Sequence, residues 1–381
     1  MAVILKNIPK IDDVETTIRI LNHLGVKTLL TGDKLEIEAL TVKTHILPSD
    51  LMRKLRGSIV LVGSILARQG KAQFSFPGGD IVGKRSIDTH LKGFRNLGFK
   101  VLKNDLNFLI SKGTGEREDI FLDEASVTAT ENLILASVLS QGKITLKNCA
   151  TEPHVTDLCL MLNKMGADIK GVGTHTLNIK GAKKLKGTQF KLGADYLEMG
   201  TYAVAAAITG GKIGLKNCSI RDLEPVVYPL KKMGIELEKN KGIIYAYSKN
   251  ILSIPKLHTN IWPGFPTDLM SALIVLATQA KGISLLHDWM YETRMFFVDK
   301  LVNMGADITI SDPHRVLVYG PSKLYGRELE TPDIRAGMAL VLAALIAKGE
   351  SVINKAELID RGYEDVEGKL SSLGADIQKI D

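Results

Sequence analysis

The chain has 381 residues, 45% apolar and 24% charged, with 49 Lys and Arg against 42 Asp and Glu for a net charge of +7. That balance excludes a disordered, collagen-like or membrane protein, and the length predicts two domains with their own cores. The basic residues are dispersed rather than gathered into runs, which favours small anionic ligands over nucleic acid, whose phosphate backbone needs a concentrated patch.

Cys149, Cys159 and Cys218 form neither a CxxC pair nor a His/Cys ligand spacing. Neither a zinc site nor a disulfide framework is expected, and a reducing cytoplasm suits them. Lys6 and Lys10 interrupt the apolar opening, and the longest apolar run, Met338 to Ala347, covers about half a membrane span. A cytoplasmic chain that stays off the membrane is predicted.

In chain order, Ile4 to Ile8 alternates as a strand. Val14, Ile18 and Leu21 then fall on one helical face, with Asp12 or Asp13 as the cap. This helix ends at HLGVK, and five later helix ends read alike, giving the glycine series Gly25, Gly98, Gly166, Gly234, Gly305 and Gly374. A second series, Gly70, Gly142, Gly211, Gly282 and Gly349, keeps the same step, so the chain is built on a repeat of about 70 residues. In the third unit an apolar helix from Thr130 to Ser140 is stopped at Gly142. A half-buried strand follows from Lys143 to Lys147, then an amphipathic helix ending at Gly166, then an ADIK strand. Three units per domain are expected, with helices inside, sheet outside and the break near Asp195. Unit one opens directly on its strand, so the repeat implies a helix of about 20 to 25 residues ahead of Met1.

There is no GxxxxGK[ST] loop, no HExxH and no GxSxG elbow. Gly171-Val-Gly-Thr-His-Thr lacks the third glycine of a nucleotide loop and reads as a strand-to-strand turn. The stretch Phe76 to His90, FPGGDIVGKRSIDTH, replaces a short link, and it reads either as a plain surface loop or as a loop over a phosphorylated ligand. Helix starts at Ala125-Ser126-Val127-Thr128, Pro266-Thr267-Asp268 and Pro332-Asp333-Ile334-Arg335 read either as caps or as ligand-facing N-termini. Arg56, Arg85, Arg294, Arg335 and Arg361 recur at unit starts and links, where planar guanidinium forks suit carboxylates and phosphates.

These residues resemble the enolpyruvyl transferase family from Met1 to Asp381. The resemblance is carried by the loop 76–90, LMRKLRGS around Arg56, ASVTATEN, ATEPHVTD, DYLEMGTY at Asp195, FPTDL at Asp268, YETR at Arg294, PDIRA at Arg335 and IDRGYE at Arg361. They match the branch that acts on a nucleotide sugar rather than the one that acts on shikimate 3-phosphate. The resemblance implies a two-domain inside-out α/β barrel of six repeats, the first incomplete. Residues 1–194, with the mobile loop 76–90, would form one domain and 195–381 the other, closing over a cleft as a monomer.

The implied reaction moves enolpyruvyl from phosphoenolpyruvate to the 3-hydroxyl of UDP-N-acetylglucosamine and releases phosphate, opening peptidoglycan precursor synthesis without metal or organic cofactor. By the same resemblance Asp268 is the base and Asp80 assists proton transfer or product release. Arg361 and Arg85 hold phosphoenolpyruvate, with Arg56 and Arg335 in support. Asp88, Ser126, Val127, Thr267 and Arg294 contact substrate.

Three departures stand out. Asp80 replaces the family's frequent cysteine, the target of the epoxide fosfomycin, and a carboxylate there predicts resistance. Glu124 stands where a lysine often meets the diphosphate. The family's Lys-Asn pair lies on the helix preceding the first strand, so Lys6-Asn7, within that strand, is not this pair. Without the pair, the alternative reading is a catalytically impaired UDP-sugar-binding homologue with a regulatory or scaffold role.

Overall fold

The computed structural model describes residues 2–80, 82–113, 119–218 and 223–380. The chain divides into two compact units, one of residues 1–79 with 85–193, the other of residues 80–84 with 194–381. The loop 76–90, expected within the first domain, is therefore shared, because its segment 80–84 groups with the second unit.

In the first unit, helices Leu61–Gln69 and Val127–Ser137 pack against each other inside. Their approach is close enough that a Cβ on Gly63 would lie 2.1 Å from the Asn132 carbonyl oxygen, so only glycine fits there. Around them, among the described residues, stand three sheets, ordered 189–191/3–6/34–38/27–31, 71–75/107–112/99–104 and 120–121/143–147/176–180/168–170. Their strands alternate as one-sided sheets require: in Lys143–Lys147 Ile144 and Leu146 are buried and both lysines exposed.

The second unit repeats the scheme with inner helices Tyr196–Ile208, Met270–Thr278 and Ile334–Ala344. Every residue of Met270–Thr278 is buried, and Ser271 and Thr278 are its only polar side chains. Sheets 212–215/243–248/235–240, 257–258/282–287/315–320/307–312 and 328–330/352–354 enclose these helices. No described helix is long and apolar enough to cross a membrane.

Several local expectations shift. The first strand is Val3–Lys6, and Asn7 leaves it in the left-handed region at φ 65°, its amide donating to the Leu192 and Gly193 carbonyls. In helix Asp12–His23 neither Asp12 nor Asp13 is the cap; both sit in the first turn, where the dipole favours acids. Its buried face is Thr16 and Ile20, continued by Leu24, while Val14, Ile18 and Leu21 are half-buried. The helix expected over Thr130 to Ser140 runs Val127–Ser137, so Gly142 serves the turn after it rather than the stop. In the second glycine series it is Gly210, not Gly211, that takes positive φ. Gly171 and Gly173 do form a turn between strands Asp168–Lys170 and Thr176–Lys180.

Candidate functional site

In the second unit, Asp268 sits in the tight turn Thr267–Leu269 that leads into the inner helix Met270–Thr278. Its Oδ1 accepts from Arg294 Nη2 at 2.8 Å and its Oδ2 from Arg335 Nε at 3.2 Å, with 37% of the side chain exposed. Arg294 is almost wholly buried, and Arg335 lies over the Tyr363 ring at 5.1 Å. Burial opposes the charge on both arginines. At Arg294 it is outweighed by Asp268, Asp333 and Asp288, and at Arg335 by Tyr363, Asp268 and Asp195, so both pKa values are raised. Two permanent cations thus grip one accessible carboxylate.

Asp333 is a true cap: its Oδ1 accepts from the N–H groups of Arg335 and Ala336 at 2.9 and 3.0 Å, and Arg294 approaches it at 4.0 Å. Burial raises its pKa against the pull of Arg294. The cap fixes the first turn of Ile334–Ala344 and with it the origin of the Arg335 side chain. Asp80 accepts from Arg361 Nη1 at 2.5 Å, and both side chains are largely buried. The segment carrying Asp80 is clipped down by Thr293 N–H donating to the Val82 carbonyl and Lys84 N–H donating to Glu292 Oε2. Gly83, at φ 133°, is packed so closely on Glu292 that a Cβ would lie 2.1 Å from Oε2.

In the first unit, Arg56 opens the turn Arg56–Val60 and acts as a brace for the loop. Its guanidinium donates to the carbonyls of Pro77, Arg85 and Ser86 at 3.3, 2.6 and 2.9 Å and lies over the Phe76 ring at 5.5 Å. Arg85 is half-buried. Exposed Asp88 starts the helix Asp88–Asn96 and accepts from Ser86 Oγ at 2.6 Å. Ser126 caps Val127–Ser137 by accepting from Ala129 N–H at 3.4 Å, and Val127 is its first residue. Glu124 accepts from Thr89 Oγ1 at 3.4 Å.

Sequence reasoning missed what holds these three segments in register. Buried Asn132 donates to the Ile59 carbonyl at 2.8 Å and to His90 Nδ1 at 2.9 Å, while its Oδ1 accepts from Gly63 N–H at 2.6 Å. With Nδ1 accepting, His90 is the neutral tautomer that donates from Nε2 to Thr128 Oγ1 at 3.2 Å. Burial, helped by Arg56, pushes its pKa down to about 3. Both residues close stretches on which the resemblance rests, His90 in FPGGDIVGKRSIDTH and Asn132 in ASVTATEN, but neither stretch signalled their pairing. The second miss is Asp288, fully buried at the end of strand Gly282–His287.

The His90 shift makes a testable statement. Below about pH 6.5 the unfolded chain takes up a proton that the folded chain refuses until about pH 3, so this stability is present above 6.5 and drains away as pH falls through that window. Glu131, raised to about 7 by burial and Glu152, titrates in the opposite sense and is common to both proteins compared. Calorimetric melting between pH 7 and 4 should give a shallower fall in Tm for His90→Gln than for the unsubstituted chain. Parallel curves would contradict the assignment.

Against known proteins, the EPSP synthase (3-phosphoshikimate 1-carboxyvinyltransferase) family matches residues 2–370. Relatives named UDP-N-acetylglucosamine 1-carboxyvinyltransferase are 45% identical over 386 residues in Borreliella burgdorferi and 46% identical over 387 in Treponema denticola. Each alignment covers 99% of this chain and 90% of the relative. The namesake from Bradyrhizobium diazoefficiens is 41% identical over 388 residues, with the same coverage. Among solved structures, the enolpyruvyl transferase NikO from Streptomyces tendae superposes with a TM-score of 0.88 at 23% identity, covering 99% of this chain and 90% of that one. EPSP synthase from Acinetobacter baumannii gives 0.72 at 20% identity, covering 98% and 90%. The fold is the inside-out α/β barrel of the enolpyruvyl transferases.

Proposed function

The chain belongs to the EPSP synthase family of enolpyruvyl transferases, and from that premise we propose that it transfers enolpyruvyl from phosphoenolpyruvate to the 3-hydroxyl of UDP-N-acetylglucosamine. The relatives' shared name supports this acceptor. The observation that carries the reading is Asp268, a half-exposed carboxylate held from both sides by the cations Arg294 and Arg335.

The sugar oxygen attacks C2 of phosphoenolpyruvate as its proton passes to the base, and a proton reaches C3. Loss of phosphate and of a C3 proton then restores the methylene, leaving an enolpyruvyl ether and inorganic phosphate. Such a sequence needs a base, an acid and fixed anion clamps. We assign Asp268 as the base and Asp80 as the group assisting proton transfer at C3 or product release. Arg361 and Arg85 clamp phosphoenolpyruvate. Arg335 supports the clamp through its hold on Asp268, and Arg56 supports it by bracing the backbone of Arg85. Asp88, Ser126, Val127 and Thr267 serve the nucleotide sugar, while Arg294, almost wholly buried, acts on substrate through its hold on Asp268. The enzyme works as a single chain in the cytoplasm, whose reducing character suits three free thiols, and its product enters peptidoglycan precursor synthesis.

The test is phosphate release from phosphoenolpyruvate, expected only when the nucleotide sugar is present; release indifferent to the sugar would overturn the reading. A second expectation concerns Asp80. Fosfomycin should leave the unsubstituted chain unmodified in intact-mass measurement, because a carboxylate is a poorer nucleophile than a thiolate. Asp80→Cys should gain one adduct. Its failure to do so would remove Asp80 from the reacting end of phosphoenolpyruvate.

A further inference from the structure

Beside the proposed base lies a carboxylate that the proposed mechanism does not use. Asp288 is fully buried in the second unit at the end of strand Gly282–His287. Its backbone is pinned twice to His314: its N–H donates to the His314 carbonyl at 2.8 Å, and its own carbonyl bonds His314 Nδ1 at 2.7 Å. Its carboxylate is divided between two donors, Oδ1 accepting from Met290 N–H at 3.0 Å and Oδ2 from Thr267 Oγ1 at 2.5 Å. It is also one of the charges that keep Arg294 cationic.

The consequence lies in the direction of one proton. A threonine hydroxyl has a single proton to give and two lone pairs. With that proton committed to Asp288, Thr267 can offer only an acceptor on its remaining side. Thr267 is half-buried and directly precedes Asp268 in the same turn.

We propose that Asp288 is a positioning residue that fixes Thr267 as an obligate acceptor, so that beside the base the site selects an O–H or N–H of the acceptor sugar. Proton-free phosphate and carbonyl oxygens are disfavoured at that point. This rests on the reading that the nucleotide sugar binds at Thr267 and Asp268.

Asp288→Asn is the informative change because it is isosteric and reverses the proton. The amide oxygen keeps Met290 N–H, while the amide nitrogen, in the place of Oδ2, donates to Thr267 Oγ1. The threonine proton then turns toward the ligand, where it meets another donor. Calorimetric titration of the full chain with UDP-N-acetylglucosamine should show affinity falling roughly tenfold for Asp288→Asn and for Thr267→Val. The double variant should be no weaker than Asp288→Asn, and the KM for phosphoenolpyruvate should stay within about twofold in all three, since its anions bind elsewhere. Should Asp288→Asn not fold, Asp288→Ser, smaller and uncharged, is read in the same cycle.

Additive losses in the double variant, or equal losses for both substrates with a lowered Tm, would mean that Asp288 only supports the fold and would overturn the proposal. Binding of the sugar with this coupling but without turnover would sink the transferase reading alone. No sugar binding by the unsubstituted chain would overturn both.

Discussion

Replacing Asp268 with asparagine is expected to cut phosphate release roughly a thousandfold, while the nucleotide sugar still binds. The amide keeps an oxygen on which Arg294 can donate, so the turn Thr267–Leu269 and the inner helix it begins stay in place. What it loses is the capacity to take a proton from a hydroxyl and the negative charge between two guanidinium groups. Arg294 would then rely on Asp333, 4.0 Å away, and on Asp288. Some loss of stability accompanies the loss of rate, because a buried cation deprived of a partner is costly. Steady-state kinetics alongside calorimetric binding separates the two effects. A variant that turns over at more than a tenth of the original rate would remove Asp268 from the role of base.

Arg361→Ala should raise the KM for phosphoenolpyruvate by on the order of a hundredfold at saturating sugar, the scale of a lost charge-assisted two-point contact. The capacity of this guanidinium to hold an oxyanion is visible in its 2.5 Å contact with the Asp80 carboxylate. It closes the turn Ala356–Arg361, and Gly362 follows it so closely packed that a Cβ would stand 2.8 Å from Ile334 Cγ2. Arg361→Lys should recover only a small part of the loss, since an ammonium supplies charge but not the planar fork. The KM for the nucleotide sugar is the internal control and should move far less. An unchanged KM for phosphoenolpyruvate would assign the Arg361–Asp80 pair to structure alone.

Much of this architecture was legible because repetition writes it several times over. The helix-ending glycines at 25, 98, 166, 234, 305 and 374 all take positive φ, as a chain turning from helix into strand requires. The apolar-rich stretch from Thr130 announced an inner helix, and the alternation at Lys143–Lys147 announced a one-sided strand. What stayed hidden was direction and partnership. Asp12 and Asp13 satisfied a cap pattern, yet backbone geometry put the cap at Ile11 and left both acids in the first turn. Val14, Ile18 and Leu21 share a face, but packing buries Thr16 and Ile20 and leaves the other three half-buried.

At the site the residue types were readable and their pairings were not. Arginines at unit starts pointed to anion binding, but nothing in the order of residues says that Arg294 and Arg335 share Asp268, 26 and 67 positions away. Nor does it say that Arg361 holds Asp80 across 281 positions. Asp288 carries no motif, and Asn132, though it closes the ASVTATEN stretch, gives no sign there of the partners it finds. Their meaning comes from burial, which obliges each polar atom to find a partner.

The most direct test of the account is to offer the chain phosphoenolpyruvate with UDP-N-acetylglucosamine and shikimate 3-phosphate together and to identify the product by proton NMR. The account predicts vinyl signals of a single enolpyruvyl ether at the 3-oxygen of the nucleotide sugar, formed in step with phosphate and absent with Asp268→Asn. Enolpyruvyl found on shikimate 3-phosphate, or a nucleotide sugar recovered unchanged while phosphate accumulates, would contradict it.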